Sequence, residues 1–333
     1  MSQVASQLAV LGWDPYFDQK FKAKSPRHGV PARVVADYGS EYAIHDGSEI
    51  RRASARRADP AVGDWVVLAD GYIVDVLDRR TVLSRRSAGQ ETTEQVLASN
   101  IDTAFVVAAA TDVNVRRIER YLTIAWQSGA VPLVVITKAD ITDPIDMALP
   151  GVEIAVTSCV TGQGIDEVAR TLQPSKTGVL LGPSGVGKSS LINRLVGDEM
   201  MRTHVVHRSG EGRHVTSHRQ LIQLPRGGMI IDGPGLREAQ LWEGEGALGN
   251  IFEDVEELAL GCRFSDCAHD SEPGCAIKRA LADGNLDAAR LESYRKLKRE
   301  LRAVAAKSDA RIRAEDRRRW KQITIAARQR TRP

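Results

Sequence analysis

The stretch GPSGVGKSS at residues 182–190 constrains the fold more than any other part of the chain. Gly182, Gly187, Lys188 and Ser189 complete the spacing G-x-x-x-x-G-K-[ST], directly after the β-rich run TGVLLG (177–182) and before the helical text SSLINRLVG. A strand, a glycine-rich turn and a helix start in that order aim backbone N–H groups at phosphate oxygens, and the helix N-terminus adds about half a positive charge. Pro183, Ser184, Gly185, Val186 and Ser190 complete the cradle. Lys188 is expected to reach the β and γ phosphates, and the Ser189 hydroxyl to ligate magnesium.

A base-reading element lies upstream of this loop. In TKAD (137–140), the Asp140 carboxylate can accept from both N1–H and the exocyclic amine of guanine, a donor pair that adenine lacks. The stem of Lys138 would lie along the base plane. Asparagine is the usual first residue of such a quartet, and Thr137 makes fewer hydrogen bonds, which keeps a P-loop ATPase or kinase open. The next strand leads into TSCVTGQGI (157–165), where Ser158 and Cys159 are the candidates for a backbone amide approaching the guanine oxygen. DGPG (232–235) closes a further apolar strand, so that Asp232 can hold magnesium through water and the Gly235 amide can bind the γ phosphate. Parallel sheets bind ligands at the carboxyl ends of their strands, and those ends need only be neighbours in space. Base-reading strands that precede the phosphate strand therefore imply a circular permutation.

Other segments set the domain order. Residues 1–28 read as a loosely packed arm. Residues 29–87 read as short strands with turn residues every 8 to 12 positions, the mark of a small β-barrel or sandwich. A polar link, SAGQETTEQVLASN, precedes a doubly wound α/β domain at 98–247. Its strands are TAFVVAA (103–109), PLVVIT (132–137), EIAVTS (153–158), TGVLLG (177–182) and GGMIIDGPG (227–235). A helical, cysteine-bearing domain at 248–306 follows, with Leu291, Tyr294, Leu297, Leu301 and Val304 on one helix face. Residues 307–333 form a basic tail.

Cys262, Cys267, His269 and Cys275 read C-x4-C-x-H-x5-C. Three thiolates and an imidazole make a closed tetrahedral set suited to one structural Zn2+, since a catalytic zinc keeps a position open. The fourth cysteine, Cys159, stands apart. The longest apolar run, AFVVAAA (104–110), is far short of the roughly 18 to 20 residues of a membrane span, and the first residues lack a secretory pattern. The expectation is a cytoplasmic monomer with no membrane partner. Net charge is +3, yet residues 287–333 hold 16 Lys and Arg against 6 Asp and Glu, so the rest of the chain is acidic. Such a tail, with Trp320 beside Arg317, Arg318 and Arg319, suits RNA backbone contact and base stacking, or a solvated helix face. Arg51, Arg52, Arg56 and Arg57, read as one loop, offer a second such surface.

The combination of VGDWV (62–66), ASNIDTAFVV (98–107), TKAD, GPSGVGKSS, GEGRHVTSHRQL (210–221), DGPG and the Cys/His cluster, in this order, closely resembles the RsgA (YjeQ) family. The resemblance implies an OB-fold first domain, a circularly permuted P-loop GTPase domain and a C-terminal helical zinc-binding domain. It implies GTP hydrolysis to GDP, with Mg2+, stimulated by the small ribosomal subunit and its 16S-type rRNA during late maturation. His214 in GRH matches the residue proposed to orient water, and Thr216 is the matching switch threonine for magnesium. Leu236 after Gly235 cannot orient water, so His214 or an activator has to. His204, His207 and His218 read as loop residues facing solvent or RNA. An RNA-binding protein whose nucleotide domain only locks its shape is the remaining alternative.

Overall fold

The computed structural model describes residues 7–24, 29–56, 58–86, 94–142, 147, 149, 151–173, 175–197, 218–233, 236, 251–265, 267–270 and 272–308. The chain divides into two compact units, Met1–Arg86 with Glu94–Gln240, and Ser87–Thr93 with Leu241–Pro333.

Near its start the larger unit has five short strands, β1 (Val30–Asp37), β2 (Tyr42–His45), β3 (Ile50–Ala55), β4 (Trp65–Ala69) and β5 (Tyr72–Val76). β1 pairs antiparallel with β2 and β4, β2 with β3, and β4 with β5, while β3 and β5 run parallel. The ring closes in the order 1-2-3-5-4-1, the five-stranded Greek-key barrel of an OB fold. Ala32, Val34, Ile44, Val66, Leu68 and Ile73 fill it.

Three expectations change here. Arg51 and Arg52 lie on strand β3, and Arg56 follows it with its guanidinium 3.5 Å from the Tyr72 ring centre, so the arginines do not form a loop. Arg57 lies outside the described residues. A barrel strand with one buried position, Ala53, carries no apolar alternation, so the sequence of β3 has no strand signal of its own. The described part of the expected loose arm is packed: Leu8, Leu11, Trp13 and Phe17 are buried, and the Trp13 ring meets Trp65 edge-on at 4.8 Å. This aromatic burial anchors one short helix, α1 (Pro15–Lys24), to the barrel. The polar link ends in a strand, β7 (Glu94–Ser99), which pairs with β6 (Val82–Arg86).

The rest of the larger unit is one continuous sheet. Its order is β10 (Glu153–Val156), β9 (Val131–Thr137), β8 (Thr103–Ala109), β11 (Thr177–Leu181), β13 (Met229–Asp232) and β12 (Arg219–Gln223). All are parallel except β12, which is antiparallel to β13 and also pairs with barrel strand β1. Every side chain of β8 and β11 is buried, as a parallel strand covered on both faces requires. Helix α2 (Val115–Ser128) is capped by the Asn114 side chain and closed by Gly129 at φ 84. Helices α3 (Ile165–Arg170) and α4 (Lys188–Val196) follow β10 and β11.

The motifs VGDWV and ASN are locked together. Asp64, fully buried, accepts from the Ala61 amide, from Arg79 through Nε at 2.8 Å and Nη2 at 2.7 Å, and from Ser99 Oγ at 2.5 Å. Asn100 donates to the Gly63 carbonyl at 3.0 Å. Asp64→Ala strands three buried or half-buried donors at once, and is expected to cost about 3 kcal/mol and lower the melting temperature of the larger unit by roughly 6–12 °C. Thermal denaturation followed by circular dichroism checks this.

The smaller unit holds α5 (Glu253–Leu260), α6 (Ala276–Ala282) and α7 (Ala288–Ser308). Leu291, Tyr294, Leu297 and Leu301 are buried along α7, as their spacing predicts. Arg290 of α7 grips Asp254 of α5 with two bonds, at 2.9 and 2.8 Å, and Phe252 meets Tyr294 at 5.4 Å.

Candidate functional site

Because β8, β9, β10, β11 and β13 run parallel, the segments leaving them emerge from one edge of the sheet. TKAD ends β9, TSC follows β10, the phosphate loop follows β11 and Asp232 ends β13. β11 lies between β8 and β13, so the loop has the Asp232 strand on one side and the base-reading strands on the other. This is the edge at which parallel α/β sheets hold ligands.

In the phosphate loop, Gly182 has φ +144, and a Cβ there would lie 2.4 Å from the Val107 carbonyl oxygen. Only glycine lets β11 turn this close to β8. No side chain caps α4 at Gly187, and a helix N-terminus in this position is a site that favours an anion. Ser189 and Ser190 are exposed in that turn, as are Ser184 and Gly185 in the loop, while Val186 is buried beneath it. The Lys188 ammonium folds back onto the loop and donates to the carbonyls of Gly182, at 2.7 Å, and Pro183. A lysine parked on neutral carbonyls is already within the loop that phosphates would occupy.

The base-reading segment is tied to that loop. The Thr137 hydroxyl, buried, lies 2.5 Å from the Val186 carbonyl and 3.3 Å from that of Ala108. Thr137 therefore bonds the phosphate loop directly, across 49 residues of sequence. Lys138 adopts φ 61, and its ammonium donates to the Gly185 carbonyl at 2.9 Å, which lays its stem across the loop.

Asp140 is exposed and held from behind. Ser158, buried, donates its hydroxyl to Asp140 Oδ1 at 2.6 Å while accepting from the amides of Val160 and Thr161. The Ser158 amide itself donates to the Gln163 carbonyl. Of the two candidates for an amide reaching the guanine oxygen, this leaves Cys159. Burial pushes the Cys159 thiol up, against the pull of Arg194 and with a small push from Asp140, so the thiol stays neutral near pH 7.

Asp232 is half-buried at the end of β13, and Leu236 is buried at 3% exposure, a packing role that matches its inability to orient water. His218 is not a free loop residue: its ring lies 4.7 Å from that of Tyr38. His204, His207, His214, Thr216 and Gly235, together with Val304's side chain, Trp320 and Arg317 to Arg319, lie outside the described residues.

In the smaller unit, the ligand atoms of Cys262, Cys267, His269 and Cys275 all lie within 4.8 Å of one another. His269 Nδ1 is 3.6 Å from the sulfurs of both Cys262 and Cys275, which are 3.9 Å apart. A tetrahedral zinc with bonds of roughly 2.3 Å to sulfur and 2.0–2.1 Å to nitrogen sets its ligand atoms about 3.5–3.8 Å apart; Cys262, His269 and Cys275 stand close to that spacing, and the chemistry of the four-residue set suits the ion. The Ala276 amide points at the Cys262 sulfur at 3.4 Å, and Glu272 accepts from the amides of Ala268 and Asp270 to shape the loop. Burial lowers the His269 imidazole pKa, with Lys298 and Arg295 adding to it, which keeps the ring neutral with a lone pair to offer.

Comparison with known proteins agrees with this geometry. A family model described as RsgA GTPase matches residues 76–242, and one described as a 50S ribosome-binding GTPase matches residues 177–310. The chain is 40% identical to the small ribosomal subunit biogenesis GTPase RsgA of Streptomyces avermitilis, over 96% of this chain and 92% of that one. It is 41% identical to the protein of the same name from Opitutus terrae, over 98% of each. Among solved structures, YjeQ from Thermotoga maritima aligns with a TM-score of 0.61 at 26% identity, over 82% of this chain and 98% of that one. YloQ, a circularly permuted GTPase, shares the fold with a TM-score of 0.59 at 24% identity, over 84% of this chain and 97% of that one.

Proposed function

This chain belongs to the RsgA family of GTPases, and on that premise we propose that it hydrolyses GTP as a late maturation factor of the small ribosomal subunit, which stimulates it. The observation that carries the reading is the pair of bonds from Thr137 and Lys138 to the phosphate loop, which bring a guanine-reading carboxylate and a triphosphate cradle into one site. The ATPase and kinase alternatives have no support beyond Thr137, and that residue is accounted for by its bond to Val186.

In this reading Asp140 accepts from guanine, the Cys159 amide meets the guanine oxygen, and Lys188 leaves its two carbonyls for the β and γ phosphates. The loop from Gly182 to Ser190 holds the phosphates, and the Gly235 amide meets the γ phosphate. Ser189, Thr216 and Asp232 are the magnesium residues, and the ion's part is to neutralise phosphate charge. His214 orients the attacking water. Zinc sits in the four-residue cluster as a structural ion. The OB barrel, with Arg51, Arg52 and Arg56 on or beside β3, and the basic tail are the surfaces for 16S-type rRNA. The protein acts in the cytoplasm as a monomer.

The test is GTP hydrolysis by the full chain, alone and with small subunits, across a salt series. Unaided Ras-type hydrolysis runs at roughly 10⁻⁴ s⁻¹ and activators add about 10³–10⁵-fold, so slow turnover alone and at least a hundredfold stimulation are expected. Stimulation should fall steeply with salt. His214→Ala should lose about 10²-fold of the stimulated rate, on the scale of a general acid–base or positioning group, and keep its GTP affinity. Turnover of several per second without subunits overturns the reading; absence of stimulated hydrolysis in the native chain favours a nucleotide domain that only locks shape, and an unaffected His214→Ala assigns the attacking water to another group.

A further inference from the structure

Strand β12 lies between barrel strand β1 and β13, and its register sets residues abreast across all three. Ala36 of β1, Gln220 of β12 and Asp232 of β13 share one rung. Asp37 and Arg219 share the next, which continues to Gly233, where a Cβ would lie 2.6 Å from the Arg219 Cα. At φ +149 and with that contact, position 233 admits only glycine. Neighbouring strands are about 4.8 Å apart, so two strand steps of about 10 Å separate the barrel backbone from the magnesium-side carboxylate.

The Arg219 side chain fastens this line. Its guanidinium lies 3.6 Å from Asp37 Oδ2, with the two side chains 13% and 19% exposed. It also donates to the Leu97 carbonyl at 2.9 Å and the Val96 carbonyl at 3.3 Å. One residue thus joins β1, β7 and β12 beside the turn that follows Asp232. One residue further toward the surface, His218 meets Tyr38, and the Arg52 guanidinium stands 4.2 Å from the centre of the Tyr38 ring. Tyr38 is 40% exposed, so an aromatic and cationic pair of the kind that stacks on bases opens to solvent at the end of this line.

We propose that Arg219 is a positioning residue for hydrolysis: it couples the barrel surface at Tyr38 and Arg52 to the Asp232–Gly233 turn, so that RNA held on the barrel sets the geometry of the magnesium side of the site. This rests on the function proposed above. Arg219 acts through the two rungs and touches neither nucleotide nor reacting atoms. Coupling of this kind is reciprocal for binding, so the nucleotide must in turn set the affinity for the subunit.

A residue that only glues the sheet would lower stability and leave the coupling intact, and the experiment separates the two. Arg219→Met, Asp37→Asn and the double variant are compared with the native chain in two measurements. One is kcat and KM for GTP with saturating small subunits; the other is the ratio of subunit affinity with a non-hydrolysable GTP analogue to that with GDP. For Arg219→Met, kcat is expected to fall at least tenfold with KM within threefold, and the affinity ratio to come within twofold of one. The double variant should be no worse than Arg219→Met, because both changes break the same link. Native kcat and native affinity ratio in a folded Arg219→Met overturn the proposal. If Arg219→Met does not fold, Asp37→Asn decides, since it keeps the carbonyl bonds: a fall of threefold or more in kcat and in the ratio supports the coupling, and native values overturn it. Absence of subunit stimulation in the native chain overturns the proposed function and this inference with it, whereas stimulation unaffected by either variant overturns this inference alone.

Discussion

Asp140→Asn should weaken GTP binding by roughly 10²–10⁴-fold and turn the preference toward xanthosine triphosphate. Guanine presents N1–H and an exocyclic amine to Asp140, and each bond to a charged acceptor is worth about 1.5–3 kcal/mol. Asparagine keeps the shape of the side chain but offers one carbonyl and one amide. The amide faces the guanine amine donor to donor, whereas in xanthine the same position is a carbonyl that accepts from it. The exchange is therefore a change of partner as well as a loss. Ser158 stands behind Asp140 with a bond of 2.6 Å, so Ser158→Ala, which frees the carboxylate to rotate, should cost a smaller factor of about 5. Competition of GTP, XTP and ATP against a fluorescent guanine nucleotide measures all three affinities on the native chain and both variants. A Kd for GTP within threefold of the native value in Asp140→Asn would remove Asp140 from the base site, and with it the link between β9 and guanine.

What the sequence discloses of this site follows the range of its contacts. The phosphate loop, the five parallel strands and the cysteine cluster are local signals: fixed spacings, apolar runs of strand length and four ligand residues within fourteen positions. The barrel's arginine strand β3 and the switch-adjacent strand β12 are different. β12 reads RQLIQ, with two buried residues, and holds its place by pairing with β1 and β13 on either side, more than any apolar pattern of its own would suggest. Two residues that tie distant parts of the chain to this region, Thr137 and Arg219, make their bonds over separations of 49 and 122 to 123 residues. Read from the chain alone, Thr137 is only a missing asparagine and Arg219 is one of many arginines. The same limit explains the arm: Trp13, Phe17 and Phe21 recur every four residues, but what they pack on, Trp65 of β4, lies about fifty residues away.

Removing the metal should unfold the smaller unit while GTP binding survives. The four ligands come from a stretch of fourteen residues that has little apolar content of its own: Cys275 and His269 are buried, but Phe264 is 41% exposed. Without the ion, three sulfurs and an imbalance of nearby cations remain, and the fold depends on the contacts of α5, α6 and α7. Those contacts include the Arg290–Asp254 pair, the Phe252–Tyr294 contact and a small core around Val255, Ile277 and Leu291. Structural zinc in comparable short sites contributes roughly 10–16 kcal/mol, more than a module of this size holds in its apolar core. Chelation of the full chain is therefore expected to abolish much of the helical signal of α5 to α7. The melting of the larger unit should stay in place, since its barrel and parallel sheet have their own cores. Cys262→Ser should do the same and reduce bound zinc from about one ion per chain to well below it, because one ligand fewer leaves an open position that water fills. Metal content by spectroscopic titration, helical signal by circular dichroism and GTP affinity, all measured on one preparation, separate the units. Retained helicity after chelation would show that the cluster is a cysteine-rich core that folds unaided, and a simultaneous loss of GTP binding would show that the two units do not stand apart.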